Sequence, residues 1–208
     1  MDFASQAGGA AADPRREYFD ALAGQWDSEE PSAASMEERL NQYTQLFGLK
    51  RGDDVLEAGC GTGKTTGWLA AQVRPGRVTA VDFAPQMIES ARAKGIDADF
   101  ACLDLISGDL GEGCLDVVFC FHAFPHFRDQ PAALKNFNRA LRPGGRLLVI
   151  HLASSERINA FHAGIHGPVH GDLLPVSAEW AGLLETSGFS LTQNIDREDL
   201  FLVEALKL

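Results

Sequence analysis

Apolar positions recur at helical spacing near the start of the chain and as short strand-like runs further on. Pro14 opens a helix through "RREYFDALAGQWD", where Tyr18, Phe19, Leu22 and Trp26 form a face to bury. A second amphipathic helix, "SMEERLNQYTQLFG", groups Met36, Leu40, Tyr43 and Leu46/Phe47 and stops near Gly48. From there strand and helix patterns alternate: "DVLEAG", "KTTGWLAAQV", "RVTAVDF", "PQMIESARAK", "DADFACLD", "LDVVFCF", "QPAALKNFNRAL", "GRLLVIHL". Such alternation predicts an α/β fold with a parallel sheet and helices on both faces. After Leu152 an irregular polar stretch is expected up to Pro175, then a helix in "SAEWAGLLETSG" closed by Gly188. The runs "FSLTQNID" and "EDLFLVEALK" are close enough to form a hairpin, which adds one antiparallel strand.

Length and charge narrow the possibilities. At 208 residues one domain is expected over 14–208, with the Ala/Gly-rich residues 1–13 as a disordered tail. Lys and Arg number 18 against 29 Asp and Glu, and the net charge of -11 repels polyanions. Nucleic acid and anionic membrane surfaces are therefore disfavoured as partners, and a small molecule is favoured. Cys60, Cys102, Cys114 and Cys120 make no CxxC pair, which suits reduced thiols in a cytoplasmic protein. No basic start with an apolar core opens the chain, and no apolar run is long enough for a membrane span.

The stretch "VLEAGCGTGKTTGWLA" admits two chemistries. Ala58 to Thr65 fits a phosphate-binding loop, which would make the chain an NTPase using Lys64 and Thr65. Glu57 at the strand end opposes that reading, because the loop of an NTPase directs positive charge at a polyanion. Asp82, about twenty residues beyond the loop, stands where a carboxylate of a doubly wound sheet grips ribose hydroxyls. Lys64 occupies the third glycine position of the dinucleotide fingerprint, so that pattern is broken as well. A Gly59-x-Gly61-x-Gly63 loop between two carboxylates suits a nucleoside cofactor that is cationic rather than phosphorylated.

"VLEAGCGTG", "VTAVDFAPQMIESA", "FACLDL", "LDVVFCFHAFPHFRD" and "ALRPGGRLLV", in this order, resemble the class I S-adenosylmethionine-dependent methyltransferases over residues 53–151. The resemblance implies a Rossmann-like doubly wound seven-stranded sheet, six strands parallel and one antiparallel. It implies S-adenosylmethionine as cofactor, S-adenosylhomocysteine as product and a small-molecule acceptor. Within 14–208 it implies N-terminal helices over the cofactor site (14–48), the cofactor-binding core (53–151), a substrate-side segment (152–176) and a last helix with a hairpin (177–208). Carried over position by position, Gly59, Gly61 and Gly63 approach the methionine part of the cofactor and Glu57 lies near its ammonium. Asp82 accepts the ribose hydroxyls, Phe83 and Met87 flank the adenine, Asp104 and Leu105 meet its ring edge, and Phe121 offers a backbone carbonyl. "RPGG" at 142–145 is a turn into the fifth strand, and Lys64 and Thr65 become first-turn helix residues facing solvent. A methyltransferase-like binding module without turnover remains a third reading.

Ligands of open parallel sheets sit beyond the carboxyl ends of the strands, which places His122 and His151 at the acceptor. Both are candidate catalytic residues, with His126 as the second candidate for a base. Every histidine lies between 122 and 170. His162, His166 and His170 repeat at four-residue intervals that one helix face could align for a soft metal, but Gly164, Gly167 and Pro168 argue against a continuous helix, so no metal is assigned. Oxygen, nitrogen, sulfur and carbon acceptors are all served by such a core, so the acceptor is encoded in the variable segments.

Overall fold

The computed structural model describes residues 13–28 and 31–208, so the expected tail lies outside the described residues except for Asp13. Asp13 caps the first helix, its carboxylate accepting the Arg15 N–H at 3.0 Å. Seven strands make one sheet in the order β3-β2-β1-β4-β5-β7-β6, where β1 is Val55–Ala58, β2 Val78–Asp82, β3 Asp99–Cys102, β4 Leu115–Phe121, β5 Leu141–His151, β6 Phe189–Asp196 and β7 Phe201–Lys207. Six strands are parallel and β7 runs against them, as the alternation and the terminal hairpin predict. The chain divides into two compact units at Asp104/Leu105.

In the first unit β1 pairs with β2 and β2 with β3, all parallel. Helix α1 spans Pro14–Trp26 as expected. The single amphipathic helix expected next is instead two, α2 (Ala33–Asn41) and α3 (Thr44–Phe47). At the break the Thr44 hydroxyl bonds the carbonyls of Leu40 and Asn41 at 3.4 and 3.2 Å, a local competition typical of Thr that favours ending the helix. Leu40 and Phe47 are fully buried, so burying this apolar face does not require a continuous helix. Helices α4 (Thr66–Val73) and α5 (Pro85–Ala93) connect the strands.

In the second unit β4 lies parallel to β5, β5 antiparallel to β7, and β7 antiparallel to β6. Phe119, Leu147, Leu148, Val149, Ile150, Leu202 and Val203 are fully buried, which accounts for the near-continuous apolar runs of these strands. Arg142 to Gly145 is more than an entry turn: Leu141 pairs with Leu115 and Arg146 with Val117, and the intervening residues bulge out of register. Helix α6 spans Gln130–Ala140. The stretch expected to be irregular contains helix α7, Ser155–Gly164, capped by Ser154, whose hydroxyl accepts the Arg157 N–H at 3.3 Å. Its only buried residue is His162, whereas Phe161 is 64% exposed, so α7 lacks the apolar stripe by which a helix is read from sequence. The last helix, α8 (Trp180–Glu185), is shorter than expected but buries Trp180 and Leu184.

Candidate active site

In the first unit the glycine loop is folded onto the carboxylates that end two strands. Asp82 takes the Gly61 N–H on Oδ2 and the Ala84 N–H on Oδ1, both at 2.9 Å. Glu57 is almost wholly buried, and its two oxygens accept the hydroxyls of Thr65 (2.8 Å) and Thr66 (2.5 Å). Burial raises the Glu57 carboxyl to about 7; the two hydroxyls oppose that rise and the charge of Asp82 adds to it.

Thr65 is thus buried rather than facing solvent, and it precedes α4 as its N-cap residue. Lys64 Nζ reaches the Pro31 carbonyl at 3.3 Å. The hydroxyl that an NTPase would place on magnesium is committed to a carboxylate, and two acidic groups stand behind the loop. That arrangement opposes the binding of a polyphosphate.

Gly59, Gly61 and Gly63 all have positive φ (77°, 54° and 76°), which a side chain would oppose. A Cβ on Gly63 would also stand only 3.3 Å from Ala91 Cβ and from Thr66 Oγ1. Helix α1 is tied across this loop. The Thr62 hydroxyl donates to Asp27 at 2.6 Å, the other Asp27 oxygen meets Lys94 Nζ at 2.7 Å, and Asp20 accepts the Gln86 N–H at 2.8 Å in the first turn of α5. Phe19 packs edge-to-face on both Phe83 and Trp26, with centroids 6.0 Å apart in each pair. Met87 is buried in α5, and Asp104 closes the unit half-buried.

In the second unit the Leu105 carbonyl accepts the buried Asn136 amide at 2.9 Å. Phe121 ends β4 with its ring edge-on to His122 at 4.3 Å. Among the described residues His122 is the one non-glycine with positive φ, 55°. Its N–H donates to the Ile150 carbonyl (2.9 Å), and its Nε2 accepts the Leu152 N–H (3.1 Å). A ring nitrogen that accepts carries no proton, so His122 is neutral with its hydrogen on Nδ1. His151 lies 4.9 Å from His122, ring to ring, is 1% exposed and has no hydrogen-bond partner on either nitrogen. Burial pushes its pKa well below the usual value, and the neighbouring imidazoles of His122, His126 and His162 push the same way.

His126 closes a short 3-10 turn, Phe124–His126, and its Nδ1 is 2.9 Å from Asp172 Oδ2. The His162 ring stands edge-on to it at 4.9 Å. Nε2 of His122 accepts a backbone amide and His151 is sealed, whereas the His126 side chain stays 19% exposed beside a carboxylate. His162 lies within α7 while His166 and His170 follow its end, so the three do not share one helix face, and His170 Nδ1 is 3.0 Å from the Ile165 carbonyl. Among the described residues no group of three donors could hold a metal. Asp172 has no sequence signature, since 46 positions separate it from its partner.

Residues 56–149 match the model of a methyltransferase domain. Those residues are a methyltransferase domain of the class I S-adenosylmethionine-dependent kind. It is 27% identical to phosphoethanolamine N-methyltransferase 1 of Triticum aestivum, over 79% of this chain and 34% of that protein. It is 32% identical to the malonyl-[acyl-carrier protein] O-methyltransferase of Serratia marcescens, over 66% of this chain and 52% of that one. The chain thus spans about a third of the first relative's length and half of the second's. In fold it is similar to a SAM-dependent methyltransferase from Aquifex aeolicus, with a TM-score of 0.72 at 21% identity, over 91% of this chain and 98% of that one.

The loop fits S-adenosylmethionine, the cofactor of that family. Asp82 is a carboxylate fixed beside the loop by the Gly61 and Ala84 amides, the type of group that accepts ribose hydroxyls in a doubly wound sheet. Glu57 is the acidic group a cationic cofactor tolerates, and an ammonium nearby would return its raised pKa toward the normal range. The side-chain-free loop at Gly59, Gly61 and Gly63 lets a ligand approach the backbone closely.

Proposed function

We propose that this protein transfers the methyl group of S-adenosylmethionine to a small-molecule acceptor and releases S-adenosylhomocysteine. The observation that carries this reading is the Asp82 carboxylate, held by the Gly61 and Ala84 amides at the end of β2 beside the glycine loop. In the proposal Asp82 binds the ribose, the glycine loop and Glu57 the methionine part, and Phe83, Met87, Asp104 and Leu105 the adenine, while Phe121 contributes its carbonyl. The cofactor brings an already activated methyl, so the protein supplies alignment, dryness and, for an acceptor that carries a proton, a base. His126 is that base, and His122 and His151 pack and orient around it.

That residues 14–208 act as one domain in a cytoplasmic setting belongs to the same proposal. Among the described residues no helix is long and apolar enough to cross a membrane, and none of the four cysteines is in a disulfide. The net charge of -11 favours a small acceptor over nucleic acid.

The test begins with ligand-induced melting shifts. S-adenosylmethionine and S-adenosylhomocysteine should each raise Tm, and ATP with magnesium should not. A labelled-methyl screen then follows, covering amines, hydroxyls, thiols and carboxylates, with phosphorylated amino alcohols and acyl thioesters of dicarboxylic acids included because relatives are named for them. Cofactor binding with no acceptor methylated would favour a binding module, and stabilisation by ATP alone would reverse the assignment.

A further inference from the structure

We infer that Asp172 is a positioning residue that holds the His126 imidazole as its Nδ1–H tautomer and leaves Nε2 to take a proton from the acceptor, so that the acceptor is a protic nucleophile. The inference rests on the methyltransferase reading for its reaction and on the second unit alone for its geometry.

Asp172 is 3% exposed and places Oδ2 at 2.9 Å from His126 Nδ1. A carboxylate can only accept, so the shared hydrogen belongs to Nδ1 and the lone pair of the neutral ring to Nε2. The segment carrying Asp172 is pinned at several points. Asn159 of α7 brackets Leu174, its Oδ1 accepting the Leu174 N–H (2.8 Å) and its Nδ2 donating to the Leu174 carbonyl (3.1 Å). Gln130 of α6 donates to the Leu173 carbonyl at 2.9 Å, and Trp180 Nε1 to the Pro175 carbonyl at 3.2 Å. Val169 and Leu174 are buried on either side of Asp172. The carboxylate is therefore preorganised by three helices, α6, α7 and α8, and not by its own loop alone.

The neighbouring imidazoles restrict where charge can settle. His162 is bonded to the Asp172 backbone, has no partner on Nδ1, and is held below its usual pKa by burial and by His126, against the opposing pull of Asp172. His151 is held neutral by burial. Asp172, His162 and His151 thus face or act on His126, and Asp172 supplies negative charge to its ring.

The step is a simple transfer. The acceptor's O–H, N–H or S–H bond breaks as its proton moves to His126 Nε2, the freed pair forms the bond to the methyl carbon, and the C–S pair stays with sulfur. The imidazolium keeps its Nδ1–H on Asp172 and later gives the Nε2 proton to solvent.

Long-range proton–nitrogen NMR of the free protein tests this without turnover, with His126 assigned from the His126→Gln spectrum. The expected result above the titration range is a neutral ring with protonated Nδ1 and bare Nε2, shifting toward the opposite tautomer in Asp172→Ala and retained in Asp172→Asn, whose amide oxygen can still accept. A wild-type ring protonated on Nε2, or a tautomer indifferent to Asp172→Ala, overturns the inference. With an acceptor in hand, Asp172→Ala should lower kcat roughly tenfold to a hundredfold at unchanged cofactor affinity, with partial rescue in Asp172→Asn. Equal loss of cofactor affinity and kcat in both variants would mean a packing role only. Failure of the wild type to methylate anything would sink the transferase reading, while the tautomer measurement would still decide the role of Asp172.

Discussion

The Gly61 amide donates to the Asp82 carboxylate at 2.9 Å across 21 residues of chain, which makes Asp82 a brace of the glycine loop as well as a ligand candidate. A second amide, that of Ala84, holds the other oxygen and compensates for the missing side-chain cap at the start of α5. One carboxylate thereby links the ends of two loops through charge-assisted bonds.

Asp82→Ala should therefore cost more than its ribose bonds. Cofactor affinity should fall by roughly 2 to 4 kcal/mol, since two charge-assisted bonds vanish together and the loop also loses its brace. Calorimetric titration with S-adenosylhomocysteine measures it, and an unchanged Kd would remove Asp82 from the site.

Lys64→Ala should leave cofactor affinity within a factor of a few. The ammonium is half-exposed and one of its contacts is a backbone carbonyl, so no cofactor group depends on it in this reading. Thr66→Val should instead destabilise the fold by roughly 1 to 3 kcal/mol, because it deprives a buried carboxylate of a donor. Calorimetric titration with S-adenosylhomocysteine checks the first variant and urea unfolding the second.

Glu57 makes stability depend on pH between the acid and neutral ranges. Its folded pKa of about 7 lies above the unfolded 4.5, so the stabilisation is complete below 4.5 and is lost as pH rises through 7. The loss amounts to about 3 kcal/mol for a fully buried carboxyl. Glu57→Gln should flatten this decline between pH 5 and 8.5 in denaturant titrations. An identical decline in the variant would assign it to another group.

His151 acts in the opposite direction. Its folded pKa is depressed, so the unfolded chain binds the extra proton, and stability is lost as pH falls below the unfolded value of 6.5. His151→Phe should reduce that slope by up to about 1.4 kcal/mol per pH unit and should not lower stability at pH 5. Unfolding midpoints of both proteins at pH 5 and 7.5 provide the comparison.

The glycine loop, the carboxylates ending β1 and β2, and the β6–β7 hairpin were all legible because each is written in neighbouring residues: turn chemistry, a strand-length run, a short connection. Glu57 and Asp82 could be placed at strand ends for the same reason. Folding alone turned Thr65 inward onto Glu57 and broke the second helix at Tyr43, since both outcomes depend on which carbonyls and carboxylates compete for a hydroxyl. Helix α7 escaped notice because its one buried residue is a histidine and its Phe161 faces solvent, leaving no apolar period to detect. The pairing of His126 with Asp172 had no local signal at all. A hydrogen bond between residues 46 positions apart exists only after the intervening chain has packed, and spacing in sequence carries no record of the direction in which a side chain then points.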